Sequence, residues 1–438
     1  MVFVLLIIYL ILFVGISYSF LNKRKSFFLF FITFIWLYDW LFINLSYYFP
    51  QGIVLAFKAL QEYLLIVIFL VFCSRVAISG KIKKQDDIKN FFLVILLPFI
   101  SLILISFFQG YGLTDLILGI RNFYIPLLFP FCVYKYGILY NINNLALKKL
   151  FIFLTALTVI YAFWQCFSFN GDLSSLWFYK NYEDPVDLNL VDKSYYNFLK
   201  NDKLRATSFF VTPIDLSIIL SMIMSYFTIA LFYKFSIVDF VFFIVSGYGM
   251  YLSQTKIGLF LYLLDLLLII LYWYNKRFFF GRFYLILFYP LFLIFTTVLF
   301  LLIGFFDDLS AIGRLGQYAS FIDNFKIFGN GLGNKEAVLD YDSFYLCLLN
   351  VMGVFAILYL GFYLMLVNIV YKIVMNSESR SSILNIFVMI NSVSFLYIYA
   401  FHHIAGSIVQ SLLLFCIYCV IALDRLKLYP SNVSCLGK

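Results

Sequence analysis

Long uninterrupted apolar runs are the feature that most constrains how this chain can fold. Runs of about 20 residues recur along the whole sequence, and a helix needs that length to cross the hydrocarbon core of a bilayer. Hydrophobic residues make up 64% of the 438 residues and charged residues only 12%, about half of the charged share of soluble domains. Short alternating strands, the signature of a membrane barrel, are not evident. The sequence therefore predicts an all-α, polytopic transmembrane helical bundle.

The apolar runs divide a single membrane domain, residues 1–438, into about 12–14 predicted spans. We place them at residues 2–20, 27–47, 53–73, 91–109, 113–134, 150–169, 208–232, 236–253, 256–275, 283–304, 343–371, 382–400 and 404–423. Two longer connections, 170–206 and 305–341, interrupt the series. Connections of that length are usually functional or disordered. The first contains too many aromatic residues for a disordered tail, so short helices lying on the membrane are expected there.

The positions of the basic residues predict the orientation of the spans. Most of the 31 Lys and Arg residues fall in short connections on one side, whereas those on the other side lie in the two long connections. Basic residues in short loops mark the cytoplasmic side, and long loops are largely exempt from this rule. Both long loops are therefore predicted to face outward. In a membrane protein the positions of the charges say more than the net charge of +9, and no nucleic-acid partner is expected.

Cofactor and metal motifs are not evident in the sequence. No Walker or Rossmann pattern occurs, and the seven cysteines lie in or beside apolar runs. Cys416 and Cys419 form a Cys-x-x-Cys inside such a run, where packing residues are expected. His402 and His403 have no third ligand nearby, which makes them a weak basis for a metal site. We therefore expect no cofactor and no metal.

Five charged residues fall on the predicted outer side, within the apolar runs, at their edges or in the second long connection. They are Arg121, Arg205, Lys256, Arg314 and Asp342. A charge in or near the hydrocarbon region is costly unless it is paired, hydrated or functional. Cations that converge beside a carboxylate at a membrane face suggest an anionic, lipid-borne ligand, because arginine forks match phosphate oxygens.

Each of these residues also has a simpler explanation. Arg121 can pair with Asp115 in its own span and Arg205 with Asp215, and an arginine at a span end can also snorkel to the interface. The lysine at the tight turn can reach for water, and the arginine in the second long connection can be a solvated loop charge. The carboxylate before the following apolar run can be a helix N-cap.

Three motifs, which carry all of these charges except Arg121, occur in order between residues 115 and 360. The first is Arg205-Ala-Thr-Ser-Phe-Phe-Val-Thr-Pro-Ile-Asp-Leu-Ser217, and the second is Ser253-Gln-Thr-Lys-Ile-Gly258. The third runs from Arg314 through Gly329-Asn-Gly-Leu-Gly333 and Asp342-Ser-Phe-Tyr-Leu346 to Gly353. Taken in order, these motifs resemble those of the O-antigen polymerase and O-antigen ligase superfamily of bacterial envelope glycan assembly.

The resemblance implies a GT-C-like fold and glycosyl transfer on the outer face of the bacterial cytoplasmic membrane. The donor would be a glycan on undecaprenyl diphosphate, and the acceptor the non-reducing end of another lipid-linked repeat unit. The implied roles are diphosphate binding by Arg205 and Arg314, assisted by Lys256 and Arg121, and proton removal from the acceptor hydroxyl by Asp342. A chain-length regulator protein is a further partner that the resemblance allows, and the reaction is expected to need no metal.

The chain departs from the family pattern at several positions. Ser208 replaces the expected glycine, Ile214 an asparagine and Lys256 the usual arginine. Asp342 stands where ligases tend to carry histidine, which favours a polymerase. The same-class alternative is a ligase that delivers the finished glycan to a lipid or protein acceptor. A flippase of the same pathway is the alternative of another class, although flippases favour charges at mid-depth and inverted repeats.

Overall fold

In the computed structural model, the described part of the chain comprises residues 2–22, 26–50, 52–54, 56–57, 100–112, 116, 144–171, 176–177, 198–200, 203–274, 309–331, 341, 343–376, 382–402, 412–414, 416–417 and 420. Helices make up most of this part. They are α1 (Val2–Leu21), α2 (Ser26–Tyr48), α3 (Asn144–Ser168), α4 (Pro213–Tyr233), α5 (Ile237–Ser253), α6 (Lys256–Tyr274), α7 (Leu309–Asn324), α8 (Phe344–Met352), α9 (Ala356–Asn376) and α10 (Ile383–Phe401). A short antiparallel hairpin pairs β1 (Leu199–Lys200) with β2 (Lys203–Leu204).

Five stretches within the described residues are long and apolar enough to cross a membrane. They are Leu29–Tyr48, Leu145–Ser168, Pro213–Tyr233, Lys256–Tyr274 and Phe344–Val374, and α1, α5 and α10 contain shorter apolar segments. The helix content and these apolar stretches confirm the prediction of a mostly helical membrane protein. Of the other predicted spans, 283–304 lies wholly outside the described residues, as do most of 53–73, 113–134 and 404–423 and about half of 91–109.

The structure differs from the sequence prediction within span 343–371. This stretch was expected to be one helix, but a 3-10 turn over Gly353–Phe355 separates α8 from α9. The second long connection, 305–341, contains the helix α7. In the first, 170–206, surface helices were expected. Most of that connection lies outside the described residues, and its described end forms the β1–β2 hairpin.

Helix α4 lies at the centre of the described bundle and contacts α3, α5, α6 and α10. Every residue from Leu216 to Ile223 is buried, as expected for a helix that is surrounded on all sides by other helices. The aromatic rings of Phe151, Tyr226 and Phe387 pack together and join α3, α4 and α10, with centroids 5.5–6.4 Å apart. This packing fixes the relative directions of the three helices.

Contacts near the helix ends show which termini lie together. Phe387, near the start of α10, packs on Phe151, near the start of α3. Gln165, near the end of α3, bonds to Ser208, a few residues before α4. The end of α10 and the start of α4 therefore lie at the same end of the bundle, which we call the Arg205 end. At the opposite end, Lys148 Nζ lies 2.5 Å from Asp239 Oδ1 and joins the starts of α3 and α5.

Candidate functional site

The first two sequence motifs meet at the Arg205 end. Arg205 is half-buried, and its Nε donates a hydrogen bond to the carbonyl oxygen of Ser253 at 3.4 Å. The next residue, Ala206, donates its backbone N–H to Leu252 O at 3.0 Å, and the Arg205 N–H bonds to Phe198 O at 2.8 Å. Backbone and side chain together therefore hold the guanidinium against the turn between α5 and α6.

A close approach of α4 and α6 joins the same two motifs a second time. A Cβ atom on Gly258, the last residue of the second motif, would lie 1.9 Å from Ser217 Oγ and 2.6 Å from Ser217 O. Ser217 is the last residue of the first motif. Glycine allows this contact because small residues let helix backbones approach closely in membrane proteins. Each end of the second motif therefore touches the first.

The backbone conformation of Ser208 is one that glycine adopts easily, which agrees with the glycine that the sequence resemblance leads us to expect at this position. Its φ angle is +53°, a left-handed conformation that is uncommon for residues other than glycine. The serine is held by hydrogen bonds: its N–H donates to Gln165 Oε1 at 2.7 Å and its Oγ to Thr158 O at 2.7 Å. Trp177 Nε1 donates to Ser208 O at 2.9 Å. This network stabilises a serine in a backbone conformation that glycine adopts more readily.

The turn between α5 and α6 adds positive charge next to Arg205. Gln254 ends α5 in the left-handed conformation, with φ +50°, and Lys256 is the first residue of α6 and is exposed. The helix dipole places partial positive charge at the N-terminus of a helix, so it does not stabilise a cation there. The start of α6 and its lysine therefore favour an anion nearby.

The glycines of the third motif form a second contact region. We call residues 327–331 the glycine loop, and it is bonded to the break between α8 and α9. The backbone hydrogen bonds are Asn330 N–H to Asn350 O at 2.8 Å, Gly331 N–H to Val351 O at 3.0 Å and Val354 N–H to Ile327 O at 2.9 Å. The side chains of Asn330 and Asn350 are also bonded, at 2.8 Å. The early and late parts of this motif are thus in direct contact.

Two glycines are required at this contact for steric reasons. A Cβ on Gly353 would lie 2.1 Å from Ile327 O, and a Cβ on Gly329 would lie 2.3 Å from Val351 O. Both have positive φ angles, +55° and +73°. The helical segment 100–108 approaches the same loop, since Gln109 Nε2 lies 3.4 Å from Gly329 O.

Helix α8 begins at the Arg205 end. Its N-cap is Ser343, whose Oγ accepts from Leu346 N–H at 3.4 Å; the neighbouring Asp342 lies outside the described residues. The same hydroxyl lies 3.3 Å from Tyr399 O at the end of α10. The start of α8 and the junction of Arg205 with Ser253 are therefore both placed at one end of the bundle, and α10 contacts α4, α6 and α8.

The structure brings together only some of the predicted site residues. Arg205 and the turn that carries Lys256 are in contact. Arg314 lies on α7, which packs near the start of α8 through the rings of Phe321 and Tyr341, 5.7 Å apart. The side-chain position of Arg314 is not described, and Arg121 and Asp342 lie outside the described residues. Among the residues that the structure describes, no group of three or more His, Cys, Asp or Glu side chains could hold a metal ion.

Asp265 is a buried charged residue that the motifs did not indicate. It lies in the middle of α6 with no exposed surface. Ser225 of α4 donates to its Oδ2 at 2.6 Å, and Ser394 of α10 donates to its Oδ1. The signal was present in the sequence, because a single aspartate inside an apolar run is costly and marks a special position. Here the carboxyl group ties three helices together.

Removing the two serines should destabilise the protein more than neutralising Asp265. The Ser225→Ala/Ser394→Ala variant leaves a buried carboxyl group without its two donors, which should cost about 3 kcal/mol. Asp265→Asn keeps the shape and can accept from one hydroxyl while donating to the other, so it should change stability by less than about 1 kcal/mol. Thermal unfolding in detergent measures both, and equal losses in the two variants would contradict this account.

Comparison of the chain with protein-family models, curated proteins and solved structures found no match. The class that the fold defines is that of helical membrane proteins, and the functional assignment therefore depends on the motifs and their geometry.

Proposed function

We propose that this protein is a polymerase of lipid-linked oligosaccharide repeat units, of the O-antigen or capsular type, in the bacterial cytoplasmic membrane. The donor is a glycan on undecaprenyl diphosphate. The acceptor is the non-reducing end of another lipid-linked unit, and the transfer takes place on the outer face of the membrane. A GT-C-like arrangement of the helices and outward-facing long connections belong to the same proposal.

The proposed reaction breaks the bond between the anomeric carbon and the diphosphate and forms a new glycosidic bond. The acceptor hydroxyl attacks the anomeric carbon, and the diphosphate leaves with the bonding electron pair. Arg205 and Arg314, assisted by Lys256 and Arg121, stabilise the charge that develops on the diphosphate. Asp342 takes the proton of the attacking hydroxyl. No step in this scheme requires a metal ion.

The contact between Arg205 and Ser253 is the observation that supports this proposal most. The two residues are distant in sequence, and they belong to motifs linked only by the family resemblance. A further contact, between Gly258 and Ser217, joins the same motifs. The start of α8, which follows Asp342 in sequence, lies at the same end of the bundle. This is the arrangement that a shared site would need.

Local electrostatics supports an anionic ligand at this position. The half-buried guanidinium of Arg205 bonds to Ser253 in the turn that leads to the exposed Lys256, the first residue of α6. Oriented backbone N–H groups at helix starts add partial positive charge. A diphosphate with several acceptor oxygens suits such a region because arginine forms two parallel hydrogen bonds with phosphate oxygens.

Two other functions compete with a polymerase. A ligase would use the same chemistry on a different acceptor, so the product separates the two. A flippase would place its charges at mid-depth along a path. Asp265 does lie within α6, but it is buried and bonded by serines of two neighbouring helices. That arrangement favours a role in helix packing over one in transport.

The Asp342→Asn variant tests both the enzyme class and the proposed base. Loss of a general base should lower the transfer rate about 10²–10⁴-fold. For a polymerase, cells carrying the variant should accumulate single-repeat glycans, and the purified variant should fail to extend a lipid-diphosphate repeat unit in detergent. Glycan length is measured by gel electrophoresis or mass spectrometry.

Asp323→Asn is the matched control, because Asp323 is an exposed aspartate near the end of α7 and should not affect the rate. Undelivered full-length polymer in the Asp342→Asn strain would identify a ligase. Unchanged glycans in that strain would remove Asp342 from the mechanism.

A further inference from the structure

Gln165 is a buried polar residue in an apolar span, and it belongs to none of the three sequence motifs. It lies near the end of α3, within the apolar stretch Leu145–Ser168, and is only 1% exposed. A carboxamide group in such a position is unfavourable unless it forms hydrogen bonds inside the protein. The partners of Gln165 therefore show which part of the chain this side chain holds.

The carboxamide group of Gln165 bonds to two consecutive residues of the first motif. Its Oε1 accepts the backbone N–H groups of Thr207 at 3.2 Å and of Ser208 at 2.7 Å. Its Nε2 lies 3.4 Å from both Thr207 Oγ1 and Ser208 O. Two successive backbone N–H groups that converge on one oxygen form a concave site of the kind that binds anions in many loops. Here a side chain of the protein itself occupies that site.

The backbone at Ser208 needs this support because its conformation is unfavourable. Its φ angle of +53° lies in the left-handed region, where the Cβ atom of a residue other than glycine approaches the following carbonyl oxygen. Without Gln165, the N–H groups of residues 207 and 208 would lose their acceptor, and the backbone could relax to a more favourable conformation. A change of conformation at this point would also move Arg205, three residues earlier in the chain.

Helix α3 holds the chain on both sides of Arg205. Gln165 bonds to residues that follow Arg205, and the next residue of α3, Cys166, contacts the residue that precedes it, with Sγ 3.6 Å from Leu204 O. The bond from Arg205 Nε to Ser253 O is 3.4 Å long, beyond the usual range for an N–H···O bond. The attachments of the neighbouring backbone therefore contribute more to the position of Arg205 than this side-chain bond does.

We propose that Gln165 is a positioning residue for Arg205, and that it fixes the place of the guanidinium at the Arg205 end of the bundle. This inference rests on the proposed function, in which that guanidinium stabilises the charge on the departing diphosphate. A displacement of about 1 Å at such a group can lower the rate about 10²-fold. Gln165 touches no substrate in this scheme, because it acts through the backbone of residues 207–208.

Gln165→Met tests this role, because methionine has a similar length and volume but lacks the carboxamide group. In the full-length protein in detergent, kcat for extension of a lipid-diphosphate repeat unit should fall about 10–100-fold. KM should change less, because the lost interaction acts mainly on charge that develops during transfer. In an Arg205→Ala protein, the same substitution should lower kcat less than about threefold, since the group that Gln165 positions is already absent.

Two further variants separate positioning from a general loss of stability. Asp239→Asn removes the ion pair with Lys148 near the other end of α3, so it should lower the unfolding temperature without lowering kcat of the folded protein. Gln165→Glu keeps an oxygen that accepts the two N–H groups and should recover part of the rate that Gln165→Met loses. A normal kcat for Gln165→Met, or an equal loss with and without Arg205, would overturn the proposal.

Hydrogen exchange provides a measurement that needs no catalysis. Loss of the acceptor should make the amides of residues 207–208 exchange at least about tenfold faster in Gln165→Met, whereas Asp239→Asn should change them little. Exchange at the wild-type rate in Gln165→Met would mean that Gln165 does not hold this segment, and the inference would be wrong. Faster exchange, together with a wild-type protein that extends no lipid-linked unit, would contradict only the proposed function.

Discussion

Replacing Arg205 with alanine should lower the rate of glycan extension about 10²–10³-fold, the loss expected when one preplaced donor to a developing anion is removed. The structure explains why the side chain is preorganised. Its Nε–H bonds to Ser253 O, and the flanking backbone is bonded to Phe198 and Leu252. The guanidinium therefore has little freedom left to lose when a diphosphate binds.

Arg205→Lys should recover only part of the activity. Lysine restores the charge, but it has neither the Nε donor that bonds to Ser253 nor the planar fork that fits two phosphate oxygens. Lys256→Ala should have a smaller effect than Arg205→Ala, because Lys256 is exposed and its charge is screened by solvent. The rates are measured by extension of a purified lipid-diphosphate repeat unit in detergent.

Lys203→Ala provides the control for a general loss of positive charge. Lys203 lies on β2, two residues before Arg205, and is exposed. The thermal unfolding temperature of each variant must be measured together with its rate, because Arg205 also bonds to Ser253 in the turn between α5 and α6. Its loss therefore removes a structural contact as well. An Arg205→Ala protein of normal stability and normal extension rate would remove the diphosphate-binding role of this residue, and the proposed polymerase with it.

Span positions were the part of the fold that hydropathy predicted well. The predicted spans 208–232, 236–253 and 256–275 correspond to α4, α5 and α6 within a few residues. This agreement has a simple cause, because long apolar runs have no other stable arrangement in a bilayer. The contact between Arg205 and Ser253 was different. Hydropathy gives no information on which turns meet, and only the resemblance placed these motifs in one site.

The break at Gly353 and the helix α7 show where the sequence was insufficient. Glycine is common within membrane spans, so Gly353 gave no sign of a turn in an apolar run. Its conformation depends on the glycine loop, which lies more than twenty residues earlier in the chain. Helix α7 was not predicted because it is short and its apolar residues alternate with polar ones. Asp265, in contrast, is visible in the sequence as a single aspartate within an apolar run, although it belongs to none of the three motifs.

Gly353→Ala should destabilise the protein by about 3–5 kcal/mol, combining backbone strain, overpacking and the loss of a hydrogen bond. The new Cβ would lie 2.1 Å from Ile327 O and 2.5 Å from Gly329 N, both of which are backbone atoms. The backbone at φ +55° is also one that side chains rarely adopt. To relieve the contact, the glycine loop must move away and give up the bond from Val354 to Ile327.

Gly361→Ala is a matched control on α9. A Cβ at that position would meet nothing within 4 Å, and alanine in a helix is favoured over glycine by roughly 0.5–1 kcal/mol. This variant should therefore unfold at the same or a slightly higher temperature, whereas Gly353→Ala should unfold at a clearly lower one. Equal midpoints for the two variants would mean that the glycine loop does not pack on the break between α8 and α9.

A double variant separates this contact from unrelated damage. Gly329→Ala would place a Cβ 2.3 Å from Val351 O, so it disrupts the same contact from the other side. Once one alanine has displaced the loop, the second has little left to disrupt, and the combined loss should be well below the sum of the two. Additive losses would show two independent sites of strain. The non-additive result would instead show that the early and late parts of the third motif act as one structural unit.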